Sequence, residues 1–183
     1  MKYYKTIILK DNKECILKNA TEFDAKEVYD HFNLTHSETD NLLSYPDENS
    51  FDIEQERQFL IRKEESEREI EICAVVDNQV VGTAGIDSKG SQYKVKHRCE
   101  LGISIEKKYW GKGIGRGLLE ACIECAQLAG YQQIELEVVS ENLKAIALYK
   151  SVGFQEYGRN PKGFLSRYNG WQEIVLMRLE ICG

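Results

Sequence analysis

Between Lys107 and Arg116 the chain concentrates four cations, Lys107, Lys108, Lys112 and Arg116, together with Gly111, Gly113 and Gly115, and Gly117 follows at once. Before this segment, Arg98 to Ile105 sets Leu101, Ile103 and Ile105 against Glu100, Gly102 and Ser104, the period of two that marks a strand. After it, Ile114, Leu118, Cys122, Cys125 and Ala129 recur at three- and four-residue steps, an amphipathic helix that Gly130 ends. A strand that runs through a glycine turn into a helix commits the chain to mixed α/β architecture. It also directs bare backbone N–H groups and the positive end of a helix dipole at whatever anion approaches the turn.

Two well-known phosphate loops do not fit. A dinucleotide fingerprint needs glycine at the first, third and sixth places, yet the sixth place is Arg116 counted from Gly111 and Leu118 counted from Gly113. A Walker loop needs Ser or Thr after its lysine, and Lys112 is followed by Gly113.

Along the rest of the chain, Glu14 to Lys18 reads as a strand and Glu22 to Phe32 as a helix with Phe23, Val28, Tyr29 and Phe32 at helical spacing, capped by Thr21. His36 to Asp52 reads as a loop or broken helix anchored by Leu42, Leu43 and Tyr45, and a helix follows from about Ile53 to Glu67. Glu71 to Val76 and Val80 to Ile86 form a hairpin, with a second turn around Ser88 to Ser91. Ile134, Leu136 and Val138 alternate as a strand, and Asn142 to Val152 is a helix stopped by Gly153. Asn169-Gly170 separates Phe164 to Tyr168 from Trp171 to Leu179, a strong hairpin signal. The expectation is one α/β (α+β) domain over residues 1–183, with about seven strands and four helices and no repeat or linker.

With 183 residues a single core can bury about 70% of the unfolded surface. The six cysteines are therefore read as reduced thiols rather than a disulfide framework. Cys122 and Cys125 share the apolar stripe of their helix, and the three histidines lie far away in sequence, so that pair reads as packing and no metal site is expected. A net charge of −6 disfavours nucleic acid and anionic membranes as partners. No stretch is long and apolar enough to span a bilayer, and Thr6 to Leu9 is too short for a signal-peptide core. A cytoplasmic location is expected.

Trp110-Gly111-Lys112-Gly113-Ile114-Gly115 closely resembles the pyrophosphate loop of the GNAT superfamily of N-acetyltransferases, with Trp110 where the family usually carries Arg or Gln. Leu101 to Ile105 is similar to that family's splayed cofactor strand. Leu136-Glu137-Val138, Asn142, Ala145, Leu148-Tyr149 and Gly153-Phe154 resemble its second half in order and spacing. The resemblance covers about Val75 to Leu179. It implies a central, twisted, mostly antiparallel sheet and acetyl-CoA as co-substrate, with the pantetheine arm beside Ile103, Ser104 and Ile105 and the pyrophosphate on Gly111, Lys112, Gly113, Ile114, Gly115 and Arg116. Asn142 is a helix cap or a cofactor contact, and Tyr149 stands where the family places the acid that protonates the leaving thiolate while also touching the cofactor.

The implied reaction is direct attack of a primary amine on the acetyl group in a ternary complex. An alkyl ammonium has a pKa near 10, so a proton must first be removed. Glu100 and Glu137 are the carboxylates placed to receive it, and a strand N–H near Ile105 would face the growing charge on the carbonyl oxygen. Glu38, Asp40, Asp47, Glu48, Asp52, Glu54 and Glu56 cluster where the acceptor loop of such a protein lies, which suggests a cationic acceptor, either a small amine or a peptide. A homodimer is left open. The rival reading is a module that binds or senses acyl-CoA without chemistry.

Overall fold

The computed structural model describes residues 1–181. Cys182, one of the six thiols, lies outside the described residues. Eight strands form one sheet in the order β1-β2-β3-β4-β5-β6-β8-β7. They are β1 (Tyr4–Ile8), β2 (Glu14–Asn19), β3 (Ile70–Val76), β4 (Gln79–Ser88), β5 (Arg98–Ile105), β6 (Gln133–Val139), β7 (Gln155–Ser166) and β8 (Gly170–Glu180). Four helices flank the sheet: α1 (Ala25–Glu38), α2 (Ile53–Glu65), α3 (Ile114–Leu128) and α4 (Leu143–Ser151). No helix among the described residues is long and apolar enough to cross a membrane.

The sheet has one strand more than the seven read from the sequence. The addition is β1, an edge strand paired antiparallel with β2 from Tyr4↔Lys18 to Ile8↔Glu14. Four of its five residues are exposed, so the alternation that betrays a half-buried strand is missing. Helix α1 also runs six residues beyond Phe32, because His31, Thr35 and His36 are buried on one side of it. Those polar residues hid the stripe.

Helix α3 lies on one face of the sheet, where Ile114, Leu118, Leu119, Cys122 and Cys125 join Leu17, Ile72, Ala84 and Ile134 in the main core. Cys122 and Cys125 are buried free thiols that burial pushes up, Cys125 to about 11, as a packing role requires. Gly117 lets the helix sit this close, since a Cβ there would meet Ile7 Cδ1 at 2.6 Å and Leu17 Cδ1 at 3.1 Å. Helices α1 and α2 cover the opposite face, with Leu60, Val28 and Cys73 forming a smaller core. Every strand pairing is antiparallel except β5 with β6. That one parallel contact positions the site.

Candidate active site

Strands β5 and β6 pair only from Arg98↔Gln133 to Glu100↔Glu135, although both continue further. Beyond Glu100 they part, and the sheet opens into a wedge. On its other edge β5 stays paired with β4 as far as Gly82↔Ile105, and the Glu106 N–H donates to the Val81 carbonyl at 3.0 Å. Successive residues of a strand point their backbone groups to opposite edges, so Ile103 and Ile105 turn theirs into the wedge. The Ile105 carbonyl is already taken by the Trp110 indole N–H at 2.7 Å. Trp110 thus folds the loop back onto the end of its own strand, leaving the Ile105 N–H facing the gap.

At the mouth of the wedge the glycine loop enters α3. Gly111 (φ 76°) and Gly113 (φ 108°) hold backbone conformations that L side chains rarely adopt, and a Cβ at either would meet nothing within 4 Å. Their absence of side chains serves the chain path rather than packing. Among the described residues, no backbone N–H from Gly111 to Arg116 donates to a protein acceptor, and the first helical bond is Gly117 N–H to the Gly113 carbonyl. Six consecutive donors without a protein acceptor at the positive end of α3 are an arrangement that can take an anion. Gly115 fits for a different reason: a Cβ would meet Leu148 Cδ2 at 2.9 Å and Ile105 Cδ1 at 3.2 Å, so α3, α4 and β5 converge there.

The cations of the loop have protein partners. Lys112 Nζ lies 3.0 Å from Asp11 and over the Tyr109 ring, while Arg116 donates to Ser151 Oγ at 2.8 Å and pairs with Glu120. Asn142 caps α4 by accepting from the Ala145 N–H at 3.3 Å. One residue beyond Leu148, Tyr149 is buried in the main core with its ring 5.9 Å from that of Phe154, and burial pushes its phenol up to about 12.

The two carboxylates expected to act as bases share the face of the sheet that α1 and α2 cover. Glu100 is exposed and bound to Lys89 at 2.9 Å. Glu137 is exposed on β6, and no ion pair or hydrogen bond engages its side chain among the described residues. The structure brings further groups to this face that the sequence reading passed over. His31 of α1 sits at 3.0 Å from Ser104 Oγ, and Thr83 of β4 lies 3.4 Å from the same oxygen. Glu71 stands in one row with Gly85 and Gly102, its carboxyl covering Gly85. Burial raises that carboxyl to about 7. In front of Gly102 a Cβ would meet nothing within 4 Å, so the β5 end of the row is open.

The acidic loop is arranged otherwise than its composition suggests. Asp47 and Glu48 hold Arg167 at 2.7 and 2.9 Å, Asp40 accepts from Ser166 Oγ at 2.6 Å and from Tyr45 Oη at 2.9 Å, and Glu38 accepts the Lys107 N–H at 2.7 Å. Asp52 caps α2, and Glu54 accepts from Gln58. Glu56 is buried, and burial alone lifts its carboxyl to about 7. The loop is tied to the β7–β8 hairpin, leaving beside it an open cavity of about 410 Å³ bordered by Glu38, Asp40, Asp47, Arg167 and Tyr168.

A wedge between parallel strands with a glycine cradle at its mouth defines a class of protein, and comparison with known proteins gives the same result. The sequence model of the Acetyltransferase (GNAT) family matches residues 25–154. The chain belongs to that family. It is 34% identical over 79 residues to the [Ribosomal protein bS18]-alanine N-acetyltransferase of Escherichia coli K12, a match that covers 43% of this chain and 53% of that one. It therefore spans about half the length of the curated relatives it matches. The crystal structure of an acetyltransferase of the GNAT family from Streptococcus pneumoniae superposes with a TM-score of 0.87 at 28% identity, covering 91% of this chain and 99% of that one. The fold is also that of yncA from Salmonella typhimurium, described as an acetyltransferase with its cofactor acetyl-CoA, at a TM-score of 0.81 and 18% identity over 92% and 94% of the two chains.

Proposed function

We propose that this protein transfers the acetyl group of acetyl-CoA to a primary amine by direct attack in a ternary complex. The observation that carries this reading is the run of six unpaired backbone donors from Gly111 to Arg116 beside the opened edge of β5. A pyrophosphate offers the several acceptor oxygens that such a run can satisfy, and an extended pantetheine arm offers amides for the backbone groups of Ile103 and Ile105. Acetyl-CoA supplies an activated thioester. The protein's own groups supply the rest.

The Ile105 N–H is the donor for the carbonyl oxygen as charge grows there. Tyr149, which burial keeps protonated across the neutral range, is the acid for the departing thiolate. On the acceptor face Glu137, whose carboxylate is unengaged among the described residues, draws in and holds an ammonium group, whereas Glu100 is already bound to Lys89. The acceptor class is a cationic amine, either a small polyamine-like molecule or the amino terminus of a peptide, as the name of the Escherichia coli relative suggests.

Release of free thiol from acetyl-CoA, followed with a panel of polyamines, aminoglycosides and short peptides, tests the reading. Turnover with at least one amine is expected, and Tyr149→Phe is expected to lower kcat by about 100-fold with little change in KM for acetyl-CoA. A panel that gives no thiol above background hydrolysis removes the catalytic reading, and an unchanged kcat in Tyr149→Phe removes the acid assignment.

A further inference from the structure

We propose that Ser104, His31 and Glu106 form a relay that carries the acceptor ammonium's proton out of the cleft. The proposal rests on the acetyltransferase reading above and names the route that reading leaves open.

The three groups lie in line. His31 Nε2 is 3.0 Å from Ser104 Oγ, and its Nδ1 is 4.0 Å from Glu106 Oε1. His31 is 3% exposed and Glu106 6%, yet Nδ1 has no hydrogen-bond partner in the described structure. A buried imidazole with one nitrogen unsatisfied is costly, and an apolar side chain would fill that space at lower cost. The carboxylate selects the tautomer: a proton on Nδ1 faces Glu106 favourably, whereas a lone pair there would face a negative charge. Nε2 is then an acceptor, and the Ser104 hydroxyl donates to it. Thr83 Oγ1, at 3.4 Å, can donate to the Ser104 oxygen in turn. Such contacts are often long in the unliganded protein and tighten around substrate.

The outer end of the relay opens where an amine can reach it. Ser104 shares its face of β5 with Gly102, in front of which there is empty space. The inner end is the Glu106 carboxylate itself, which takes up the proton, and Lys108 Nζ, 2.8 Å from Oε2, is an ammonium that holds the carboxylate in place. In the step, the ammonium loses one proton to Ser104 Oγ, the original Ser104 hydroxyl proton passes to Nε2, and the Nδ1 proton passes to Glu106. The amine becomes neutral, Ser104 regains its hydroxyl, His31 exchanges tautomer and Glu106 becomes a carboxylic acid. No imidazolium accumulates, which agrees with burial holding His31 down at about 4. The charged and titratable groups around His31 are His36 and Glu38 on α1 and Glu106 with its partner Lys108 after β5.

The experiment has two arms. In the first, kcat/KM against pH is measured with an amine the wild-type protein accepts, for Ser104→Ala, His31→Gln, Glu106→Gln and, as a control, Glu124→Gln, whose carboxylate on α3 is bonded to Tyr3 and Lys5. The first three are expected to fall by about 100-fold at pH 7 and to recover as the pH approaches the amine's own pKa, while Glu124→Gln keeps the wild-type profile. A loss that is the same at every pH, unaltered profiles in all three, or the same loss in Glu124→Gln overturns the relay. In the second arm, imidazole nitrogen NMR of the unliganded protein reads the tautomer directly. A proton on Nδ1 of His31, displaced in Glu106→Gln, is expected, and a proton on Nε2 overturns the assignment whether or not any amine is turned over. Absence of turnover in the wild type, by contrast, counts against acetyl transfer and leaves the tautomer measurement valid.

Discussion

The two walls of the wedge manage polar groups in opposite ways. On the side proposed for the cofactor the backbone does the work: six donors in the glycine loop have no acceptor within the described chain, while the loop's charged side chains, Lys112 and Arg116, are engaged by Asp11, Ser151 and Glu120. On the side proposed for the acceptor the acidic side chains that composition offers are occupied, Asp47 and Glu48 by Arg167, Asp40 by the β7–β8 hairpin and Asp52 by the first turn of α2. What stands open there is Glu137 and the space before Gly102. Charge in a sequence marks where ions are, and the structure decides which of them are already spent on the fold.

The sharpest way to break the contrast is at Gly113. Valine there lets the unliganded loop relax away from the φ near 108° that the glycine holds, and re-forming that conformation around CoA costs of order 1–3 kcal/mol, so the Kd for CoA measured by calorimetry is expected to rise roughly 30-fold while the melting temperature changes little. Trp110→Phe keeps the ring but loses the bond to the Ile105 carbonyl. A single hydrogen bond of about 1 kcal/mol predicts a roughly fivefold rise in KM for acetyl-CoA and none in KM for the amine.

Arg167→Ala does the reverse. It frees Asp47 and Glu48, and a change of roughly threefold, the size expected for an exposed ion pair, should appear in the KM of the amine with CoA binding unaltered. Equal effects of Trp110→Phe and Arg167→Ala on both substrates would erase the division between the two walls.

A separate effect lies in stability rather than in binding. The carboxyl of Glu56 is raised from an ordinary 4.5 to about 7, so between those values the folded protein holds a proton that the unfolded chain has released. Its contribution is fully present below about pH 4.5 and is lost as the pH rises through about 7. Glu56→Gln is therefore expected to raise the melting temperature at pH 8 and leave it unchanged near pH 4.

Much of the glycine-loop wall is legible in the sequence. Gly111 to Gly117 mark a turn with bare backbone donors, Asn142 a cap or a ligand contact, and the repeat from Ile114 to Ala129 a helix, because each is a short-range preference that survives in any fold. The acceptor wall is not. His31 meets Ser104 across 73 residues, Arg167 meets Asp47 across 120, and Glu71 reaches Gly85 only through the register of β3 on β4. Strand β1 escaped notice because an exposed edge strand lacks the apolar period that would reveal it.

By itself, then, the sequence determined that a strand, a glycine turn and a helix would meet and present backbone donors to an anion. Local φ/ψ preferences and hydrophobic periodicity act within a few residues and need no distant partner. Only the tertiary structure decided that β5 and β6 part after Glu100, that the acidic loop is fastened by Arg167, and that Ser104, His31 and Glu106 fall in line. Those outcomes depend on burial and on pairing between elements far apart in the chain, where the solvent lost and the partner gained are set by packing rather than by neighbours in sequence.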